Sequence, residues 1–114
     1  FSLHLDSGEK VMAFRLRQRD GADFTSGTWI LPDGTPEPLP DGSIAVTPLE
    51  ETRIGPRDVP THWRLAIPSK GLEIETEPLN PQAWMATSFP YWEGPIRFDG
   101  TKAGIGYLEM TGYD

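Results

Sequence analysis

Alternation is the strongest constraint in this chain. In "FSLHLD" the apolar Phe1, Leu3 and Leu5 occupy one parity and Ser2, His4 and Asp6 the other. In "KVMAFRLRQ", Met12, Phe14 and Leu16 oppose Val11, Ala13, Arg15 and Arg17. "THWRLAIP" sets Trp63, Leu65 and Ile67 against His62, Arg64 and Ala66, and "LEIETEPL" sets Leu72, Ile74 and Thr76 against three glutamates. Side chains that change face at every residue belong to β-strands, and no segment of helix length carries a 3.6-residue period. Turn signals punctuate these runs: "DSGE", "RDGAD", "PDG", "SKG" and a Gly-containing turn at 99–104. Strands at intervals of roughly 8–12 residues indicate an all-β sandwich or barrel.

Topology follows from the connections. Nearly all are short enough for hairpins, and only 50–59 ("ETRIGPRDV" at its centre) and 80–89 are long enough for a Greek-key crossover. The expectation is therefore an all-β, antiparallel up-and-down meander of about eight strands closing into a barrel. Such a barrel is just wide enough inside for side chains or one small apolar ligand. Pro36 and Pro38 mark an edge strand, because proline cannot donate to a ladder. Twelve glycines and twelve prolines in 114 residues suit frequent turns, and the length suits a single domain over 1–114.

Composition removes several functions. The net charge of −7 disfavours a nucleic-acid surface, which needs clustered basic side chains to displace counterions. No cysteine is present, so disulfides, thiolate nucleophiles and cysteine-held metals are excluded. No apolar run is long enough for a membrane-spanning helix. His4 and His62 have no partner at metal-ligand spacing, and Glu73, Glu75 and Glu77 stand about 7 Å apart along one strand face, too far to share an ion. Neither a metal nor a cofactor is expected. No nucleophile elbow or phosphate-binding glycine loop occurs.

The remaining candidates lie at the end of the chain. "FPYWEGPIRFDG" gathers Tyr91 and Trp92 around Glu93, and "GIGYLEMTGY" carries Tyr107 and Glu109. Glu93 and Glu109 lie on consecutive strands and are able to meet. Alternation places Tyr91, Glu93 and Pro95 on one face and Trp92, Gly94 and Ile96 on the other. Trp92 and Glu93 therefore share a cavity only if the strand bulges. His4 is a candidate for orienting a ligand from the first strand, whereas His62 is expected at the surface.

"FSLHLDSGEKVMAFRLR", "HWRLAIPSKGLEIETEPL" and "YWEGPIRFDG…GIGYLEMTGYD" together resemble, in order and over essentially the whole chain, the C-terminal part of the AttH-like family. That family contains the carotenoid 1,2-hydratases (hydroxyneurosporene synthases) and many proteins described as secreted hydrolases. The resemblance implies a lipocalin-like barrel, the second of two in tandem, with the N-terminal domain of the same protein as partner. It implies a lipophilic, isoprenoid-like small molecule as ligand and acid-assisted hydration of a C=C bond as the reaction of the whole protein. It also implies a periplasmic or secreted location. On this reading Phe1 is preceded by a Trp-, Asp- and His-rich stretch that carries the catalytic residues. The binding candidates within this chain are Tyr91, Trp92, Glu93, Tyr107, Glu109 and His4; relatives tend to have Gln at the last position. Two other readings stand beside this one: an accessory module binding carbohydrate or protein through exposed tryptophans, and a structural brace for a catalytic domain.

Overall fold

A computed structural model describes residues 1–114. The chain forms ten strands: β1 (Ser2–Leu5), β2 (Lys10–Arg17), β3 (Asp23–Ile30), β4 (Pro36–Leu39), β5 (Ala45–Ile54), β6 (Arg57–Ile67), β7 (Leu72–Pro78), β8 (Trp84–Met85), β9 (Tyr91–Gly100) and β10 (Gly104–Thr111). One 3-10 turn, Pro68–Lys70, joins β6 to β7. Nine strands follow one antiparallel path in the order β4-β3-β2-β1-β10-β9-β7-β6-β5, and β8 pairs with β9 beside it. The first and last long segments of the chain meet through β1 and β10. The meander expected from turn spacing is present, and the sheet curls into a lipocalin-like half-barrel around a single apolar core.

The core comes from one parity of each strand. Leu3 and Leu5, Val11 and Ala13, Leu65 and Ile67, Leu72 and Ile74, Ile96 and Phe98, and Leu108 and Met110 all point inward and are buried. Trp29, Trp63 and Trp92 fill the space between them. Burial of these side chains, at about 25 cal/mol per Å² of apolar surface removed from water, is the principal driving force. Phe1 packs edge-on against Trp63, with ring centroids 6.1 Å apart. The interior is filled by side chains, and the concavities of the molecule all open to solvent.

Two edges remain, β4 and β5, and they do not ladder together. Side chains bridge this seam instead. Arg15 of β2 turns inward over the Trp63 ring, 5.1 Å from its centroid, and donates to the Val46 carbonyl of β5 at 3.1 Å. Lys70 reaches Glu37 of β4 at 3.0 Å and lies 5.7 Å from the Trp29 ring. Pro36 and Pro38 sit on the edge strand, as their chemistry requires. Pro48 and the register shifts between Pro48 and Glu51 distort the other edge. Both devices discourage edge-to-edge pairing.

One stretch departs from expectation. Residues 50–59 are not a crossover loop but the far end of the long β5–β6 hairpin, turning at Gly55 with φ 58°. The inward positions here include Thr52 and Thr61, whose hydroxyls hydrogen-bond to each other at 2.7 Å, besides Ile54 and Val59. Polar inward residues erase the apolar alternation that marks the other strands. The 79–90 connection, in contrast, contains β8 and folds onto the core, where Ala83 and Trp84 pack. The Arg57 guanidinium covers the Trp84 ring at 4.3 Å.

Candidate functional site

β9 carries no bulge opposite β10: the register runs unbroken from Tyr91↔Thr111 to Phe98↔Gly104. Strict alternation therefore separates Trp92 from Glu93. Trp92 is 0% exposed in the core, and its Nε1–H donates to the Pro81 carbonyl at 3.0 Å. Its ring is turned away from the face that carries Glu93. Gly94 follows it inward, and a Cβ there would stand 3.0 Å from the Ala83 methyl, so the 79–90 segment depends on that glycine for space.

Glu93 faces outward and is half-buried, and directly across the ladder stands Glu109. The Tyr91 hydroxyl, two residues away on the same face, donates to Glu93 Oε1 at 2.9 Å. Tyr107, two residues from Glu109, lies on that face as well. No arginine, lysine or histidine side chain pairs with either glutamate; the arginines make their ion pairs with Asp23, Asp58, Glu73, Glu75 and Glu77. Two unneutralised carboxylates directly opposite each other are unfavourable in a sheet. The Tyr91 phenol is held above the usual tyrosine range, first by its hydrogen bond to Glu93 and then by partial burial and carboxylate charge. Tyr107 is raised too, by what burial it has and by the Glu93 charge. Both phenols thus hold their protons more tightly beside the acids, and Tyr91 donates its own to Glu93.

The surroundings of this cluster are apolar. Across the outer face one row runs Met12, Ser2, Tyr107, Pro95 and the next places Phe14 level with Glu109 and Glu93. Leu16 and Phe24 pair beyond Phe14. Phe14 is 56% exposed, Leu16 61% and Ile105 65%. β2 therefore turns its larger apolar side chains to solvent and its small ones, Val11 and Ala13, to a core already filled by tryptophan. His4 joins the outer face opposite Ile105, exposed. Five of the six sequence candidates (Tyr91, Glu93, Tyr107, Glu109 and His4) thus share one outer surface, and Trp92 does not. Sequence reasoning missed Met12, Phe14 and Leu16 as members of that surface. The signal was their parity: they oppose Val11, Ala13 and Arg15, but which set was inward depended on the β1 register.

Other clusters are weaker. His62 is half-buried, 3.8 Å from Glu50, beside an acidic cleft of about 290 Å³ that includes Glu75, Glu77 and Asp99. Glu73, Glu75 and Glu77 project to the outside of β7, and Arg64 and Arg97 pair with them. No group of three or more His, Asp or Glu converges as a metal site. No tryptophan offers an open platform, since three are buried and Trp84 lies under Arg57. No helix is long and apolar enough to cross a membrane.

The AttH-like family model matches residues 1–113. Among solved structures, an AttH from Nitrosomonas europaea is similar with a TM-score of 0.84 at 27% identity, over 99% of this chain and 38% of that one. Kievitone hydratase from Nectria haematococca shares the fold with a TM-score of 0.78 at 20% identity, over 100% of this chain and 38% of that one. The chain therefore spans well under half the length of either protein. No curated protein matches by sequence.

Proposed function

Since the chain belongs to the AttH-like family, we propose that it is a lipocalin-like domain of a hydratase-like protein and that its outer face, not its barrel interior, meets a lipophilic, isoprenoid-like small molecule. One observation carries this reading: an exposed apolar surface (Met12, Phe14, Ile105) adjoins an unneutralised Glu93–Glu109 pair flanked by tyrosines. A neutral hydrocarbon has no use for two carboxylates. A hydrocarbon that acquires positive charge as it reacts does. Addition of water to an alkene proceeds by protonation of one carbon, capture of the carbocation by water and loss of a proton from the oxonium, so that only water is consumed. Negative charge and aromatic faces placed before the cation forms would favour it over the neutral alkene. In this reading Glu93 and Glu109 supply the field, Tyr91 orients Glu93, Tyr107 offers its ring, and His4 lies at the margin. The acid that protonates the alkene is not assigned to this chain.

The test is equilibrium binding of a fluorescent polyene to the full-length protein. Substituting Met12→Ser together with Phe14→Ser is expected to weaken binding at least about tenfold, the loss of one to two buried apolar side chains. Equal affinity in the variant, or no binding up to the solubility of the probe, would remove the outer face as a ligand surface. A second reading, a brace for a catalytic domain, is favoured by the filled interior and by the extra length of the structural relatives. Turnover by Glu93→Gln and Glu109→Gln full-length protein separates the two: loss of rate supports the charged surface, and an unchanged rate supports the brace.

A further inference from the structure

β1 is too short for the gap it occupies. It separates β2 from β10, pairing Ser2 with Met12 on one side and with Tyr107 on the other. Phe1 continues this line by exchanging hydrogen bonds with Ala13, at 2.8 and 2.9 Å. Beyond that point β2 runs on to Arg17 and β10 to Thr111 with no strand between them. The result is a slot one strand wide. Its inner mouth is a cavity of about 170 Å³ lined by Ala13–Arg17 on one side and Leu108–Thr111 on the other. Its outer mouth, about 290 Å³, lies between Phe14 and Glu109.

The walls of the slot are open ladder edges. In an antiparallel ladder, alternate residues of a strand bond to alternate neighbours. Ala13 bonds toward β1, so Arg15 presents its N–H and C=O to the slot. By the same alternation, with the register Ser2↔Tyr107, Glu109 and Thr111 present theirs from the opposite wall. Groups of this kind are rarely left without partners. The Thr111 and Gly112 carbonyls are instead met by the Arg17 side chain, whose Nη2 donates across the slot at 3.2 and 3.3 Å.

We infer that this slot is filled by an extended segment continuing β1 backward, the polypeptide that leads into Phe1 in the longer protein. The register is fixed by the pairs already formed. The residue before Phe1 pairs with Phe14 and Glu109 and projects outward, directly beside the Glu93–Glu109 pair. The second pairs with Arg15 and Met110 and projects inward toward Trp63. The third pairs with Leu16 and Thr111 and projects outward. A strand held on both sides satisfies the open groups of β2 and β10 together and releases Arg17. The segment that leads into this domain is thereby a structural part of it and supplies a side chain to its outer acidic surface. Both solved relatives contain more than twice this length of chain, enough to supply it. This inference is independent of the ligand reading above.

Backbone amide exchange in the full-length protein tests it. The amides of Arg15, Glu109 and Thr111 are expected to exchange as slowly as core-strand amides such as Leu65. Rapid exchange at all three would overturn the inference. A cysteine pair identifies the occupant, since the native residues 1–114 contain no thiol. Leu16→Cys combined with Cys at the third residue before Phe1 places two thiols at a closely spaced, non-hydrogen-bonded pair. An intramolecular disulfide under mild oxidation supports the predicted register. A disulfide-linked dimer, which assigns the slot to a second copy, or no cross-link would contradict it.

Discussion

Glu93 illustrates what a single residue's neighbours decide. Parity in "YWEGPI" was enough to separate it from Trp92, and the same parity put Tyr91 within hydrogen-bond reach. That Glu109 stands opposite it was not readable, because register is set by the pairing of whole strands rather than by local pattern. Removing the charge in Glu93→Gln should lower the ionisation midpoints of Tyr91 and Tyr107 toward 10.0, the ordinary tyrosine value, in a phenolate absorbance titration. The sign follows for stability as well. A phenol whose folded-state value is raised binds its proton more tightly when folded, so its contribution is complete below pH 10 and declines as pH rises through the folded value. Alkaline unfolding of the wild type should therefore steepen above pH 10, and less so in Glu93→Gln. Thr76 offers a simpler case. Its side chain is buried and its hydroxyl has no hydrogen-bond partner. Thr76→Val keeps the shape and removes the cost, so chemical denaturation should show a gain of about 1 kcal/mol. The prolines of the edge strand were legible because proline's missing N–H acts locally. The inward threonines of the β5–β6 hairpin, Thr52 and Thr61, were not, because threonine serves equally in loops and in strands.

Elements depend on features that sequence shows less directly. The β4–β5 seam has no backbone ladder, and Arg15 closes part of it from β2 by way of Trp63 and Val46. The pattern of "KVMAFRLR" put Arg15 on one face with Val11, Ala13 and Arg17 without fixing which way that face points; its role emerges only when the Val46 carbonyl lies across the barrel. Arg15→Met should cost about 1.5–3 kcal/mol, the usual worth of a hydrogen bond to a charged group, measured by urea unfolding. The β1–β10 contact is similarly specific. A Cβ on Gly106 would stand 2.3 Å from the Ser2 carbonyl oxygen, which forces the backbones apart. Gly106→Ala is expected to destabilise by about 1–3 kcal/mol, as overpacking does. "GIGYLEMTGY" was legible as a strand, but the close approach of the first strand to the last at Gly106 required the three-dimensional fold. The long β5–β6 hairpin and the short β8 were the elements least visible, the first through its polar inward face and the second through its length of two residues.

At the scale of the molecule, alternation and short connections led to the meander, and the half-barrel has that order. The distribution of function over its two surfaces was harder to see. A lipocalin-like barrel suggests a ligand within, yet the tryptophans and aliphatic side chains of this one fill the interior. The aromatic and acidic candidates are divided: Trp92 builds the core, while Tyr91, Glu93, Tyr107 and Glu109 face outward among exposed apolar neighbours. Lipophilic contact is proposed for this outer face. Methyl NMR of the full-length protein during titration with a polyene tests it most directly. Saturable shifts are expected for the methyl groups of Met12 and Ile105 and none for those of Leu3, Leu65 and Ile67. Shifts confined to the interior methyls, or no shift in either set, would contradict it.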